Sequence, residues 1–166
     1  MSRALYSLMI QHRTELASAV AQRLMGSDVP HYRELGPSVV QDRSTRLVHA
    51  LLESLANLPS SFVDYILLIA GERMGQGYFL KEMQVALSVL EERSWQIVVA
   101  GFRCEEHADQ LARLTSTIGA AKDALARAYL ERKRQAEARV ALLEQQLQVL
   151  SRGTDAPPVD GDEEGL

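Results

Sequence analysis

The chain has 166 residues, 46% hydrophobic, 24% charged and only 5% aromatic, which suits one domain whose core is built from aliphatic side chains. The net charge is −4; residues 153–166 hold five acids and no base, and removing them leaves the rest at +1, a balance that offers no broad electrostatic case for nucleic acid. A single cysteine, Cys104, excludes an internal disulfide and a four-cysteine metal site, and it fits a reducing, cytoplasmic setting.

No signal peptide is expected from the first ten residues, which carry one Arg and no apolar stretch ending at a small-residue site. The longest apolar run, residues 65–70, is too short to span a bilayer. A soluble protein without a membrane segment is therefore expected.

A first helix is predicted over residues 2–25, with Leu5, Met9, Leu16 and Val20 on one stripe and Gly26 as its stop. Residues 29–32 read as a connection with a helical turn before Gly36. Pro37 can open the second helix, since it fixes φ and needs no intrahelical N–H there. Leu47, Val48, Leu51, Leu55 and Leu58 point that helix inward. A third helix, from Phe62 to about Gln76, is apolar almost all round and is expected at the centre of a bundle or in a subunit interface. The fourth runs from near Leu80 to about Phe102; Ser94 and Gly101 on its inward face would let another helix approach closely.

The last helix is the most informative. Residues 105–151 contain no proline and one glycine, Gly119. Apolar residues recur there at steps of three and four: Leu111, Leu114, Ile118, Ala121 and Leu125, then Ala136, Val140, Leu143, Leu147 and Leu150. A helix of about 45 residues would be about 65 Å long, more than a small body covers. Leu111, Leu114, Ile118, Leu125, Val140, Leu143, Leu147 and Leu150 are accordingly the expected partner interface, with the same helix of a second copy as the natural occupant. The rhythm slips after Leu125, where an extra four-residue step would locally unwind a coiled coil. Residues 152–166 read as a disordered acidic tail.

The residues 73–90, with Arg73, Gly75, Gly77, Glu82 and the Ala86, Leu87, Leu90 helix pattern, together with residues 32–35 before a leucine-rich helix, resemble the N-terminal sensory domains of RsbR-type stressosome co-antagonists, also found before bacterial histidine kinases. The resemblance spans about residues 5–150. It implies an all-α, globin-like but non-haem bundle of about five helices with a long C-terminal coiled-coil helix, dimeric, passing its state to an output such as a kinase or an anti-sigma-pathway component. Such domains continue into a STAS, kinase or other effector domain. Residues 153–166 hold none, leaving two expectations open: a piece of a longer protein, or a stand-alone version acting on a bound partner.

Catalytic signatures are poor: no Gly-x-Ser-x-Gly, no His-Glu-x-x-His and no phosphate loop occur. A non-enzymatic module with no cofactor is expected. Cys104 and His107 have metal-ligand spacing but no second pair, so no metal site is expected. His12, on the apolar stripe of the first helix, is the one weak cofactor candidate, supporting an alternative reading as a haem- or small-ligand-binding globin-like protein. Its bland reading is a core-edge histidine. His49 is expected to be solvated, and nothing distinguishes His31. Tyr65, Tyr78, Phe79 and Trp95 are a candidate ligand pocket, although aromatics beside a glycine-rich turn more often close a core. Glu82 has a simple account as a first-turn carboxylate on a helix dipole. The charges of residues 127–139 read as the solvated flank of a coiled coil. A third reading is a structural dimerisation adaptor with no ligand.

Overall fold

A computed structural model describes residues 2–56, 58–75 and 80–154; the predicted pocket residues Tyr78 and Phe79 and the acidic tail from residue 155 lie outside them. Among the described residues every regular element is a helix: α1 (Ser2–Gln11), α2 (Arg13–Met25), α3 (Pro30–Glu34), α4 (Pro37–Ala56), α5 (Ser61–Gly75), α6 (Leu80–Gly101) and α7 (Cys104–Thr154). No described helix is long and apolar enough to cross a membrane.

The predicted first helix is two helices. His12 departs from helical geometry at φ −96° and ψ 8°, and the Arg13 guanidinium donates to the Ile10 carbonyl at 3.2 Å, so a carbonyl at the kink is satisfied by a side chain. The backbone bonds from His12 N to the Leu8 carbonyl and from Leu16 N to the His12 carbonyl bridge the bend. The kink keeps Leu5 and Met9 of α1 and Leu16, Val20 and Leu24 of α2 in one core. Further on, the turn at Gly36 takes a positive φ of 79°, which L side chains rarely adopt, and Pro37 opens α4 as expected.

The chain forms two compact units, Met1–Tyr129 and Leu130–Leu166. In the first, α4 is packed by α1, α2 and α5, and α6 by α1 and α2. Leu51, Leu55, Phe62, Leu87, Leu90, Leu114 and Ile118 are fully buried there. Gly101 supports the expected close approach: a Cβ at that position would come within 2.6 Å of Leu8 Cδ2, so the leucine of α1 occupies the space that the missing side chain leaves. Ser94, on the same face, is wholly buried.

Helix α5 does not take the central position, one of the two placements expected for it. It is not buried on all sides: Phe62, Ile66, Ala70 and Arg73 form its one buried face, while Leu67 and Leu68 are 41% and 63% exposed. The physical reason is that among the described residues α5 packs chiefly on α4, which leaves its Leu67 and Leu68 side uncovered.

Helix α7 enters both units. Within the first unit, Leu114, Ile118, Ala121 and Leu125 are completely buried. The Arg113 guanidinium donates to the Leu55 carbonyl at 2.6 Å, in the last turn of α4, and Lys122 is ion-paired with Glu91 of α6. Gly119 does not interrupt the helix, since a single glycine costs only about 1 kcal/mol against alanine. In the second unit every described side chain of residues 130–151 is exposed.

This division predicts opposite responses to one kind of substitution. Leu114→Ala should lower unfolding free energy by about 2–5 kcal/mol at any protein concentration. Leu143→Ala should cost under about 0.5 kcal/mol at concentrations where the chain is monomeric. Urea denaturation over a range of concentrations checks both.

Candidate functional site

The sequence-predicted interface residues divide into two sets. Leu114, Ile118 and Leu125 are 0% exposed, so these three are core positions of their own chain and not surfaces for a partner, and Leu111 is half-buried against the same core. One three-four rhythm serves an intramolecular bundle as well as a coiled coil, and spacing alone does not separate them. The other four form the candidate site: Val140, Leu143, Leu147 and Leu150 are 54%, 50%, 66% and 69% exposed. Ala136 continues their stripe toward the N-terminus.

Charged side chains flank that seam. Arg132, Glu137, Arg139 and Glu144 are all exposed, and Lys133 Nζ lies 3.7 Å from Glu137 Oε1, an i,i+4 pair of the kind that supports a solvated helix by a few tenths of a kcal/mol. Alanine, leucine, glutamate, glutamine and arginine dominate this segment, so its helical state rests on intrinsic preference and not on burial within the chain.

The aromatic residues predicted as one pocket are not brought together. Tyr65 lines a core cavity with Leu24, Tyr32, Val40, Arg43, Ser44, Leu47, Ile66, Arg73, Met83, Leu87 and Leu125 among others. The cavity is about 20 Å³, room for roughly one water molecule. Burial raises the Tyr65 phenol above its ordinary value, partly offset by the nearby Arg73 and Arg46 guanidinium groups. Trp95 is elsewhere, 43% exposed beside Val99 at 53%, on a shallow patch of α6 that also includes Glu91, Glu92 and Gln96.

His12, the weak cofactor candidate, sits at the junction of α1 and α2. It lines a groove between α2 and α6 with Glu15, Leu16, Ala19, Arg93, Gln96 and Ile97, and its Nδ1 is 3.0 Å from Glu15 Oε2. His49 is solvated as expected, with its side chain 71% exposed. His107 Nε2 is 2.9 Å from the Phe102 carbonyl, and Cys104 is exposed. Among the described residues no three His, Cys, Asp or Glu side chains gather as a metal ion would require.

Sequence reasoning passed over one polar cluster. His31 Nδ1 is 2.7 Å from Glu82 Oε1, the Glu82 side chain is 8% exposed, and the Tyr32 hydroxyl donates to the Glu82 backbone carbonyl at 3.1 Å. Glu82 does sit in the first turn of α6, as its dipole account requires, but it also joins α6 to α3. The partners are about fifty residues apart in sequence, and no local spacing signals such a contact.

Compared with family models, with curated proteins and with solved structures, the chain matches none.

Three outcomes are expected. Haem added to the purified protein should give no Soret band, because His12 lies in an open groove between α2 and α6 with its Nδ1 3.0 Å from Glu15 Oε2. Glu82→Ala should lower stability by about 1–3 kcal/mol in urea titration, the cost of removing a partner from a buried charge-assisted bond. Ser94→Ala should raise it by about 1 kcal/mol, since the Ser94 hydroxyl is buried without a hydrogen-bond partner among the described residues.

Proposed function

We propose that this chain is a non-enzymatic sensory or regulatory module of bacterial cytoplasmic signalling, which works as a homodimer and sends or receives its signal through α7. The observation that carries the reading is the run of Val140, Leu143, Leu147 and Leu150, each at least half exposed, in a helix whose earlier residues Leu114, Ile118, Ala121 and Leu125 are fully buried. Four large apolar side chains in one exposed row are a surface that association would remove from water, at roughly 25 cal/mol per Å².

The resemblance of residues 73–90 to RsbR-type sensory domains supports the same reading and adds its finer content: a globin-like bundle without haem, and a kinase or anti-sigma-pathway component as the output partner. The mechanism follows from the continuity of α7. Repacking around Leu114, Ile118 or Leu125 acts on the helix that carries the seam, and packed interfaces change between discrete arrangements more readily than they deform smoothly. The extra four-residue step between Leu125 and Ala136 is the place where two registers of the seam would interconvert.

The test uses the whole chain. Light scattering should give a dimer mass for the unaltered protein and a monomer mass for Leu143→Glu/Leu147→Glu, with far-ultraviolet circular dichroism little changed, since both leucines are exposed. A monomer at every concentration of the unaltered chain would refute the proposal, and so would a dimer that ignores both substitutions.

A further inference from the structure

We infer that the exposed seam of α7 takes a second copy of this chain running parallel and in register, with the direction fixed by Arg132, Glu137, Arg139 and Glu144. This rests on the seam reading above and adds the orientation and register of the second copy.

The spacing Ala136, Val140, Leu143, Leu147, Leu150 places Val140 and Leu147 at the a positions of a heptad, and Ala136, Leu143 and Leu150 at d. Arg132 and Arg139 then fall at g, and Glu137 and Glu144 at e. All four side chains are exposed.

In a parallel two-stranded coiled coil a g residue meets the e residue of the following heptad on the other helix. Arg132 therefore faces the partner's Glu137, and Arg139 faces the partner's Glu144. Two-fold symmetry repeats each contact, so every one of these charges meets its opposite. In an antiparallel pair g faces g and e faces e, which sets arginine against arginine and glutamate against glutamate. A parallel pair slipped by one heptad keeps only half of the complementary contacts and shortens the leucine overlap.

Two further features agree. A β-branched residue at a with leucine at d favours two strands, and Val140 with Leu143 has that arrangement. Lys133 occupies a single a position, where a lone lysine specifies register at some cost in stability; its own Glu137, 3.7 Å away, offsets part of its charge. The seam covers little more than two heptads, short of the three to four over which the a and d pattern alone identifies a coiled coil. The flanking charges therefore act chiefly by choosing direction and register.

Two experiments on the full chain test this. In a Cys104→Ser background, Leu143→Cys and Leu150→Cys should each form a disulfide-linked dimer under mild oxidation, because like d positions meet only when helices are parallel and in register. Arg132→Glu/Arg139→Glu and Glu137→Arg/Glu144→Arg should each self-associate about tenfold more weakly than the unaltered chain, and an equimolar mixture should recover the affinity as a heterodimer. Failure of either cysteine to cross-link, in a protein whose unaltered form scatters as a dimer, would overturn the orientation and leave the seam reading standing. Charge-reversed variants that pair as well as the unaltered chain, each by itself, would overturn the charge code. A monomeric unaltered chain would overturn both the inference and the proposal beneath it.

Discussion

Leu125 is completely buried and Val140, four turns later on the same uninterrupted helix, is more than half exposed. That change of surroundings along one element is the constraint on which this protein's organisation turns. Up to Leu125 the apolar stripe of α7 completes a helical core, held by the Arg113 bond to the Leu55 carbonyl and the Lys122–Glu91 pair. After it the stripe continues with leucines that the chain itself does not bury. Helices in globular proteins gain most of their stability from burying an apolar face. Residues 130–151 keep theirs by propensity and by growing from a nucleus that the core already supplies. A sequence that only needed a solvated helix could have placed glutamine or lysine where Leu143, Leu147 and Leu150 stand.

The first part of α7 is built into the core of the first unit. The cavity beside Tyr65 and Ser44 is bounded by α2, α3, α4, α5 and α6 and, through Leu125, by α7. Its polar lining includes Arg43 and Arg73, and Glu82 links α6 to α3 through His31. Side chains packed at this density transmit displacement, because a close-packed interior has few voids to absorb it. The exposed Leu67 and Leu68 of α5 and the Trp95–Val99 patch of α6 add apolar surface to the first unit, and each is a separate place where a neighbour would alter helix packing.

Much of the fold was legible in the sequence because helical periodicity and breakers are local signals. Pro37, Gly36 and the residues around Ser61 and Leu80 mark their helices to within a residue or two, and Gly101 announced the close approach that Leu8 makes. What was not legible is long-range or contextual. The kink at His12 leaves the apolar stripe unbroken, so periodicity read straight across it. The uniform apolarity of α5 predicted burial on all sides, but composition does not say whether a neighbour exists to provide it. The two halves of the α7 stripe look alike in sequence, and only the structure assigns Leu114, Ile118 and Leu125 to the core and Val140, Leu143, Leu147 and Leu150 to the surface. The His31–Glu82 contact joins residues on separate helices with no motif between them.

The most direct test of the central claim is amide hydrogen exchange along α7 as a function of protein concentration. An unpaired, solvated helix opens readily and protects its amides little, whereas a buried seam holds them until it dissociates. If the seam pairs copies of the chain, protection over residues 136–150 should rise steeply with concentration while that over residues 114–125 stays high and constant. Protection over residues 136–150 that remains low at every concentration would contradict the account, because the exposed leucines would then have no partner in a second copy.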